Sequence, residues 1–135
     1  MRMRRMATAA ALAAMTAGLM SGCALLSGPN PCLPELAVTP SPAVAGETVT
    51  VTGGECDVAV PDAGWTVVLG HAEGAPIVTE STSQAFDGTF ELTVELPSDF
   101  PEGPAYVGIA NWVYVPCNDT GSCASADRPF DVIAP

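Results

Sequence analysis

The eight residues TFELTVEL, at positions 89–96, alternate strictly between polar and apolar side chains. Successive side chains of a β-strand point to opposite faces of its sheet. Here the apolar face carries Phe90, Leu92, Val94 and Leu96, and the other face carries threonines and glutamates. The stretch therefore predicts a strand that is buried on one side and solvated on the other.

Six further segments contain short β-type runs, and none of them shows convincing helical periodicity. They are 36–39 (LAVT), 48–54 (TVTVTGG), 65–71 (WTVVLGH), 77–86 (IVTESTSQAF), 105–115 (AYVGIANWVYV) and 129–134 (PFDVIA). Asp87 and Gly88 stand before the strand at 89–96 and predict a two-residue hairpin turn. About seven antiparallel strands separated by turn residues predict an all-β sandwich over residues 32–135.

Residues 1–22 have the features of a signal peptide. Arg2, Arg4 and Arg5 form a positive start, residues 6–20 form an apolar run, and Ser21 and Gly22 are small residues before a cleavage point. The alternative is a buried or membrane-spanning helix, because the uncharged run continues to position 34. Glycines and prolines interrupt that run from position 18 onward, which favours the signal peptide.

The segment Leu19-Met20-Ser21-Gly22-Cys23 resembles the lipobox of bacterial lipoproteins. The resemblance implies cleavage before Cys23, a diacylglyceryl group on its sulfur and acylation of the new amino terminus. Two or three acyl chains hold a protein stably to a bilayer. We therefore expect a lipid anchor at Cys23, a linker over residues 23–31, and a domain on the extracytoplasmic face of the cell membrane.

The expected mature chain, residues 23–135, is strongly acidic. It keeps all 15 acidic residues and, of the basic ones, only Arg128, which gives a formal charge of −14. Such a chain is repelled by nucleic acid and by anionic lipid headgroups, so we expect neither as a partner.

With Cys23 acylated, four cysteines remain: Cys32, Cys56, Cys117 and Cys123. An even number outside the cytoplasm implies two disulfides, with three possible connectivities. Cys32 and Cys56 each lie 12 residues from a proposed hairpin turn near Val44, and antiparallel pairing would bring them together. Spacing therefore favours Cys32–Cys56 and Cys117–Cys123. Zinc is disfavoured, because neither pair has the spacing of a zinc knuckle.

Three stretches are similar to bacterial immunoglobulin-like domains: 38–53 (VTPSPAVAGETVTVTG), 86–97 (FDGTFELTVELP) and 102–110 (EGPAYVGIA). The resemblance implies an opening hairpin, a strand entered by a tight turn, and a tyrosine corner at Tyr106. It also implies that the first strand, the loop at 54–64 and the loop before the last strand share the end nearest the lipid anchor. Gly108 stands where antibody domains have a cysteine, so no central disulfide is expected.

Residues suited to catalysis are scarce. His71 is the one histidine and stands in no recognisable motif, while Glu91 and Glu95 share a solvated strand face. We therefore expect no enzyme and no cofactor. A weaker possibility is a calcium site, because hard cations need only oxygen ligands. Its candidates are Asp57, Asp62, Asp119 and Asp127.

The segment 106–115 offers a candidate ligand or partner face. Strict alternation would place Tyr106, Trp112 and Tyr114 outward around the small residues Gly108 and Ala110, but it would also bury Asn111. A β-bulge near position 110 would instead turn Trp112 and Tyr114 into the core, which is the interpretation that we favour.

Together these observations favour a non-catalytic binding or structural module at the cell envelope, with an unidentified envelope protein or ligand as its partner. The alternative is a small-molecule carrier. The stretches 38–41 (VTPS), 45–53 (AGETVTVTG) and 117–123 (CNDTGSC) are loosely similar to the apoproteins of enediyne antibiotics. That resemblance implies a cleft for a chromophore and a disulfide-closed loop in the middle of the chain.

Overall fold

The computed structural model describes residues 32–72, 74–112 and 126–135. This part of the chain contains no helix and confirms the predicted all-β sandwich. Its strands are β1 Leu36–Thr39, β2 Ala43–Val44, β3 Thr48–Gly53, β4 Trp65–His71, β5 Pro76–Thr82, β6 Phe90–Glu95, β7 Gly103–Ile109 and β8 Asp127–Ile133.

The strands form two sheets. One has the order β1-β3-β6 and the other the order β2-β8-β7-β4-β5. Every pairing is antiparallel except that of β2 with β8. Apolar side chains from both sheets meet in one buried cluster, to which the alternation in β6 contributes Phe90 and Val94.

The connection between β1 and β3 is longer than the simple hairpin that the sequence suggested. β1 and β3 do pair as a hairpin would, with Val38 opposite Val51. Between them the chain crosses to the other sheet, where Ala43 and Val44 pair with β8. Pro40 and Pro42 have no backbone N–H, so the β1 ladder does not continue through them.

The predicted hairpin at Asp87-Gly88 is wrong. β5 pairs with β4, whereas β6 pairs with β3, so this turn connects the two sheets. Gly88 has a φ of 90°, and the Asp87 carboxylate accepts hydrogen bonds from the hydroxyl and backbone N–H of Thr89 at 2.6 and 2.9 Å. The Thr89 hydroxyl, followed by its backbone N–H, holds the pKa of Asp87 below its ordinary value.

Phe86 and Phe90 explain why the chain changes sheets at this turn. Their rings stack with centroids 4.2 Å apart and an interplanar angle of 12°. Both residues that flank the turn are therefore held in the core. A two-residue hairpin would have continued β5 directly into a neighbouring strand of the same sheet, which leaves no place for this inward stack.

Four rings, which we call the aromatic cluster, fill one end of the core: Trp65, Phe86, Phe90 and Trp112. Trp65 stacks on Trp112 with centroids 4.8 Å apart. Phe86 meets both indoles edge to face, at 5.6 Å from Trp65 and 5.3 Å from Trp112. Such arrangements contribute about 0.5–1.5 kcal/mol per ring pair beyond the area that they bury.

Strict alternation placed Trp112 on the outer face, and this is wrong. β7 ends at Ile109, and the Trp112 backbone N–H donates to the Ile109 carbonyl at 3.2 Å, so the chain turns and the indole enters the core. Asn111 stays exposed. Its side-chain oxygen accepts from the Thr66 backbone N–H at 2.7 Å, and its amide donates to the Gly64 carbonyl at 2.9 Å. The core interpretation of Trp112 is confirmed, through a turn instead of a bulge.

The Cys32–Cys56 disulfide is present, with the two Cα atoms 5.7 Å apart. The Trp112 indole N–H donates to the Cys32 carbonyl at 3.2 Å, and the Cys56 backbone N–H donates to the Phe86 carbonyl at 2.7 Å. The disulfide therefore closes the sandwich at the end that holds the aromatic cluster. Cys117 and Cys123 lie outside the described residues, as do residues 1–22 and Cys23.

Trp112→Ala is expected to lower the free energy of unfolding by about 3–5 kcal/mol, because it removes a buried and stacked indole. The control Ile77→Ala shortens an exposed side chain of β5 and should change that free energy by less than about 0.5 kcal/mol. Urea unfolding followed by circular dichroism measures both. A Trp112→Ala loss below about 1 kcal/mol would contradict a core position for this indole.

Candidate binding face on the five-stranded sheet

Of the candidate ligand or partner face at 106–115, the described part that stays on the surface lies on the outer face of the five-stranded sheet. Tyr106 and Gly108 lie on this face in β7, and Ala110 follows them. Trp112 does not lie on this face, because its side chain is buried in the core. Tyr114 lies outside the described residues.

A row of paired residues crosses this face. Thr79 of β5 is opposite Val68 of β4, Val68 is opposite Gly108 of β7, and Gly108 is opposite Asp127 of β8. Paired residues of neighbouring strands share a face. The missing side chain of Gly108 leaves a hollow of about 150 Å³ between its neighbours, lined by Val68, Tyr106, Gly108, Ile109, Ala110, Ala126 and Asp127.

Gly108 is required for that hollow. A Cβ atom at this position would lie 3.3 Å from the Ala126 carbonyl oxygen and 3.7 Å from a methyl group of Val68. A second hollow of about 260 Å³ lies along the same face and is lined by Ala72, Gly74, Tyr106 and Asp127. The Tyr106 ring borders both hollows and divides the face into two shallow depressions.

Tyr106 is held by the β4–β5 hairpin. Its hydroxyl donates to the Gly74 carbonyl at 3.0 Å, and its backbone is opposite Gly70. A Cβ atom built on Gly70 would lie 2.6 Å from the Tyr106 ring, so the ring covers the space above that glycine. The predicted tyrosine corner is therefore wrong, since a corner hydroxyl bonds backbone a few residues upstream, whereas Gly74 is 32 residues away.

The charges of the described residues are almost all negative. Of the 15 acidic residues, Glu73 and Asp119 lie outside the described residues, which leaves 13 carboxylates against Arg128. Asp127 borders both hollows, and Asp131 lies two residues further along β8. A partner that carries positive charge is favoured here, and an acidic one is repelled.

The residues considered for catalysis lie in two different sheets. The His71 Nε2 atom lies 3.1 Å from the Glu102 carbonyl oxygen at the start of β7. Glu91 and Glu95 are exposed on β6, in the other sheet. The backbone carbonyl and N–H of Glu91 bond the side chain of Gln84.

The calcium candidates do not converge in the described part of the chain. In residues 32–72, 74–112 and 126–135, no group of three or more histidine, cysteine or acidic side chains could hold a metal ion. Asp57 and Asp62 are exposed in the loop before β4, Asp127 begins β8, and Asp119 falls outside these ranges.

Sequence reasoning missed a hollow of about 280 Å³ at the aromatic cluster. It is lined by Glu55, Cys56, Asp57, Val58, Ala85, Phe86 and Asp87. The loop after β3 and the loop after β5 meet here, and the Cys56–Phe86 backbone hydrogen bond joins them. The two loops meet because the chain passes from one sheet to the other at Asp87-Gly88. Local sequence patterns contain no signal for this passage.

Comparison with protein-family models, curated proteins and solved structures found no match to this chain. Within the described residues, no helix has the length and hydrophobicity needed to cross a membrane.

Gly70→Ala is expected to lower the free energy of unfolding by about 1–3 kcal/mol, because the added methyl group would clash with the Tyr106 ring. In a Tyr106→Ala background the same substitution should cost less than about 0.5 kcal/mol, since the clash is gone. A double-mutant cycle in urea measures the coupling. Equal costs in the two backgrounds would show that Tyr106 does not cover Gly70.

Proposed function

We propose that this protein is a non-catalytic binding module, anchored by acylated Cys23 to the extracytoplasmic face of the cell membrane. The leader at 1–22 and the resemblance of residues 19–23 to a lipobox support the anchor. The strand order of the sandwich supports an immunoglobulin-like domain, a fold that serves many binding proteins and does not by itself identify a partner.

The observation that carries the binding role is the shape of the five-stranded sheet's outer face. Its hollows of about 150 and 260 Å³ are shallow and bordered by Asp127, and the smaller one is mostly apolar. Small-molecule sites usually enclose about 300–1,000 Å³. Depressions of this size instead suit side chains from the surface of another protein, and the acidic surroundings favour a partner with basic residues.

The carrier alternative has less support. In the enediyne apoproteins a disulfide closes a loop in the middle of the chain, whereas Cys56 here pairs backwards with Cys32. The aromatic side chains that could have edged a chromophore cleft include Trp112, which is 4% exposed and packed in the core. We therefore place the protein-binding role first.

The orientation of the domain follows from the anchor. The linker over residues 23–31 enters the sandwich at Cys32, beside the aromatic cluster. That end would lie nearest the membrane. The outer face of the five-stranded sheet begins at this end, where Ala126 and Asp127 line the smaller hollow, and runs along the strands, so a neighbouring envelope protein could reach it from the side.

Cys23→Ala is expected to move the protein from the membrane fraction to the medium, or to leave it as uncut precursor, because no thiol remains for acylation. The matched control Ser21→Ala keeps a small residue before the cleavage point and should stay anchored. Cell fractionation followed by intact mass measurement distinguishes these states. A Cys23→Ala protein that is correctly cut and still membrane-bound would contradict the lipid anchor.

A photoreactive amino acid at Asp131, on the outer face of β8, is expected to crosslink the anchored protein to an envelope protein in living cells. The same residue at Thr93, on the exposed face of β6 in the other sheet, is the matched control and should give at least about tenfold less of that product. Mass spectrometry of the crosslinked band measures both. Equal products from both positions, or none from either, would contradict a binding role for this face.

A further inference from the structure

The two longest edge strands of the sandwich differ in how their free edges are treated. On β6, the Gln84 side-chain amide donates to the Glu91 carbonyl at 2.6 Å, and the Glu91 backbone N–H donates to the Gln84 side-chain oxygen at 3.1 Å. A residue of a neighbouring strand would make the same two bonds. Gln84 therefore closes this edge at Glu91 against another strand.

The direction of the backbone groups on β5 follows from β4. The Thr66 carbonyl accepts from Ala110 at 2.8 Å, on the β7 side of β4. Because successive residues direct their N–H and C=O groups to alternate sides, Val67 and its neighbours Trp65 and Leu69 bond towards β5. Their partners on β5 are Glu80, Thr82 and Val78.

Thr79 and Ser81, the intervening residues of β5, therefore direct their backbone groups away from the sheet. The regular alternation ends at Ile77, because the register of β4 with β5 shifts there by a bulge. Within the described residues β5 pairs with β4 alone. The strand is seven residues long and exposed along most of its length. An open edge of this kind is a template for the addition of another strand.

We propose that β5 docks an extended segment of a partner protein, which adds to the five-stranded sheet as a further strand and places a lysine or arginine opposite Glu80. This inference rests on the proposed binding role and names the site and the chemistry of the partner.

Glu80 supplies the selectivity. Its backbone bonds towards β4, so a residue facing it on an incoming antiparallel strand would form a non-hydrogen-bonded pair, in which side chains approach most closely. An opposite charge at that position stabilises the pair, and a like charge destabilises it. The facing residue is therefore basic.

A second copy of this chain is a poor occupant of the edge. The expected mature chain has a formal charge of −14, so two copies repel each other as they approach. Self-pairing centred on Thr79 would also bring the two Glu80 side chains to diagonal positions on one face. A basic segment of another protein removes both penalties.

Two matched peptides test the proposal on the full chain in non-ionic detergent. Each is a capped seven-residue peptide that alternates threonine with valine, and one has lysine at its centre where the other has glutamate. The lysine peptide should bind about tenfold more tightly by calorimetry and weaken with added salt. Hydrogen exchange measured by mass spectrometry should slow over residues 76–82.

Thr79→Pro provides the matched variant. It removes an outward N–H and should abolish peptide binding without breaking a β4–β5 hydrogen bond. Thr93→Pro makes the same change at an outward position of β6 and should leave binding unchanged. Loss of circular dichroism in Thr79→Pro would call for Thr79 N-methylation by chemical ligation, which deletes the same donor without the proline ring and should again abolish binding.

Absence of lysine-peptide binding, equal binding of the two peptides, or unchanged binding by Thr79→Pro would overturn the proposal. A wild-type dimer in sedimentation that Thr79→Pro converts to monomer would overturn it in favour of a second copy. If Asp131 still crosslinks its envelope partner in the Thr79→Pro variant, the proposed binding role stands and the β5 site is wrong. If Asp131 gives no crosslink at all, the binding role itself fails.

Discussion

The aromatic cluster packs next to the Cys32–Cys56 disulfide, and together they join the two sheets at one end of the sandwich. Trp65 belongs to β4 and Phe90 to β6, so their contacts through Phe86 join the two sheets. Phe86 and Trp112 belong to connections, and their burial determines where the chain leaves β5 and β7. The disulfide ties the start of the domain to the same place and restricts the unfolded chain by closing a loop of about 24 residues, an effect of roughly 3 kcal/mol.

The cluster also has a cost. The indole N–H of Trp65 is buried and has no acceptor among the described residues. A buried donor without a partner costs about 1–3 kcal/mol. Three contacts of the Trp112 indole offset this cost: the stack on Trp65, the edge contact with Phe86 and the hydrogen bond to the Cys32 carbonyl.

Because the other large aromatic side chains lie in the core, Tyr106 is the one aromatic side chain among the described residues of the outer face of the five-stranded sheet. Gly70 and Gly108 leave space that Tyr106 only partly fills, and shallow hollows result. The two edge strands also differ. The Gln84 amide bonds the free edge of β6 at Glu91, whereas the free edge of β5 stays open. The outer face and the free edge of β5 belong to the same sheet. A strand added at β5 would therefore widen this acidic face.

Local patterns were enough to predict seven of the eight described strands, all except β2, but not how the chain connects them. The alternation in β6 gave its buried face, and the symmetric spacing of Cys32 and Cys56 gave the disulfide although the connection is not a simple hairpin. Asp87-Gly88 misled, because the stack of Phe86 on Phe90 overrides the local turn preference. Trp112 could not be placed by period alone, since the side-chain bonds of Asn111 to Thr66 and Gly64 come from residues more than 40 positions away.

The proposed binding role depends on the proposed anchor, because a lipid anchor at Cys23 would place the domain beside other envelope proteins. Intact mass spectrometry of the wild-type protein from its native membrane, under native and then denaturing conditions, tests it most directly. We expect a denatured mass of residues 23–135 plus acyl chains, less the hydrogens of two disulfides, with no small molecule retained in the native spectrum. An unmodified mass, or a retained small molecule, would contradict it, and the second result would favour the carrier.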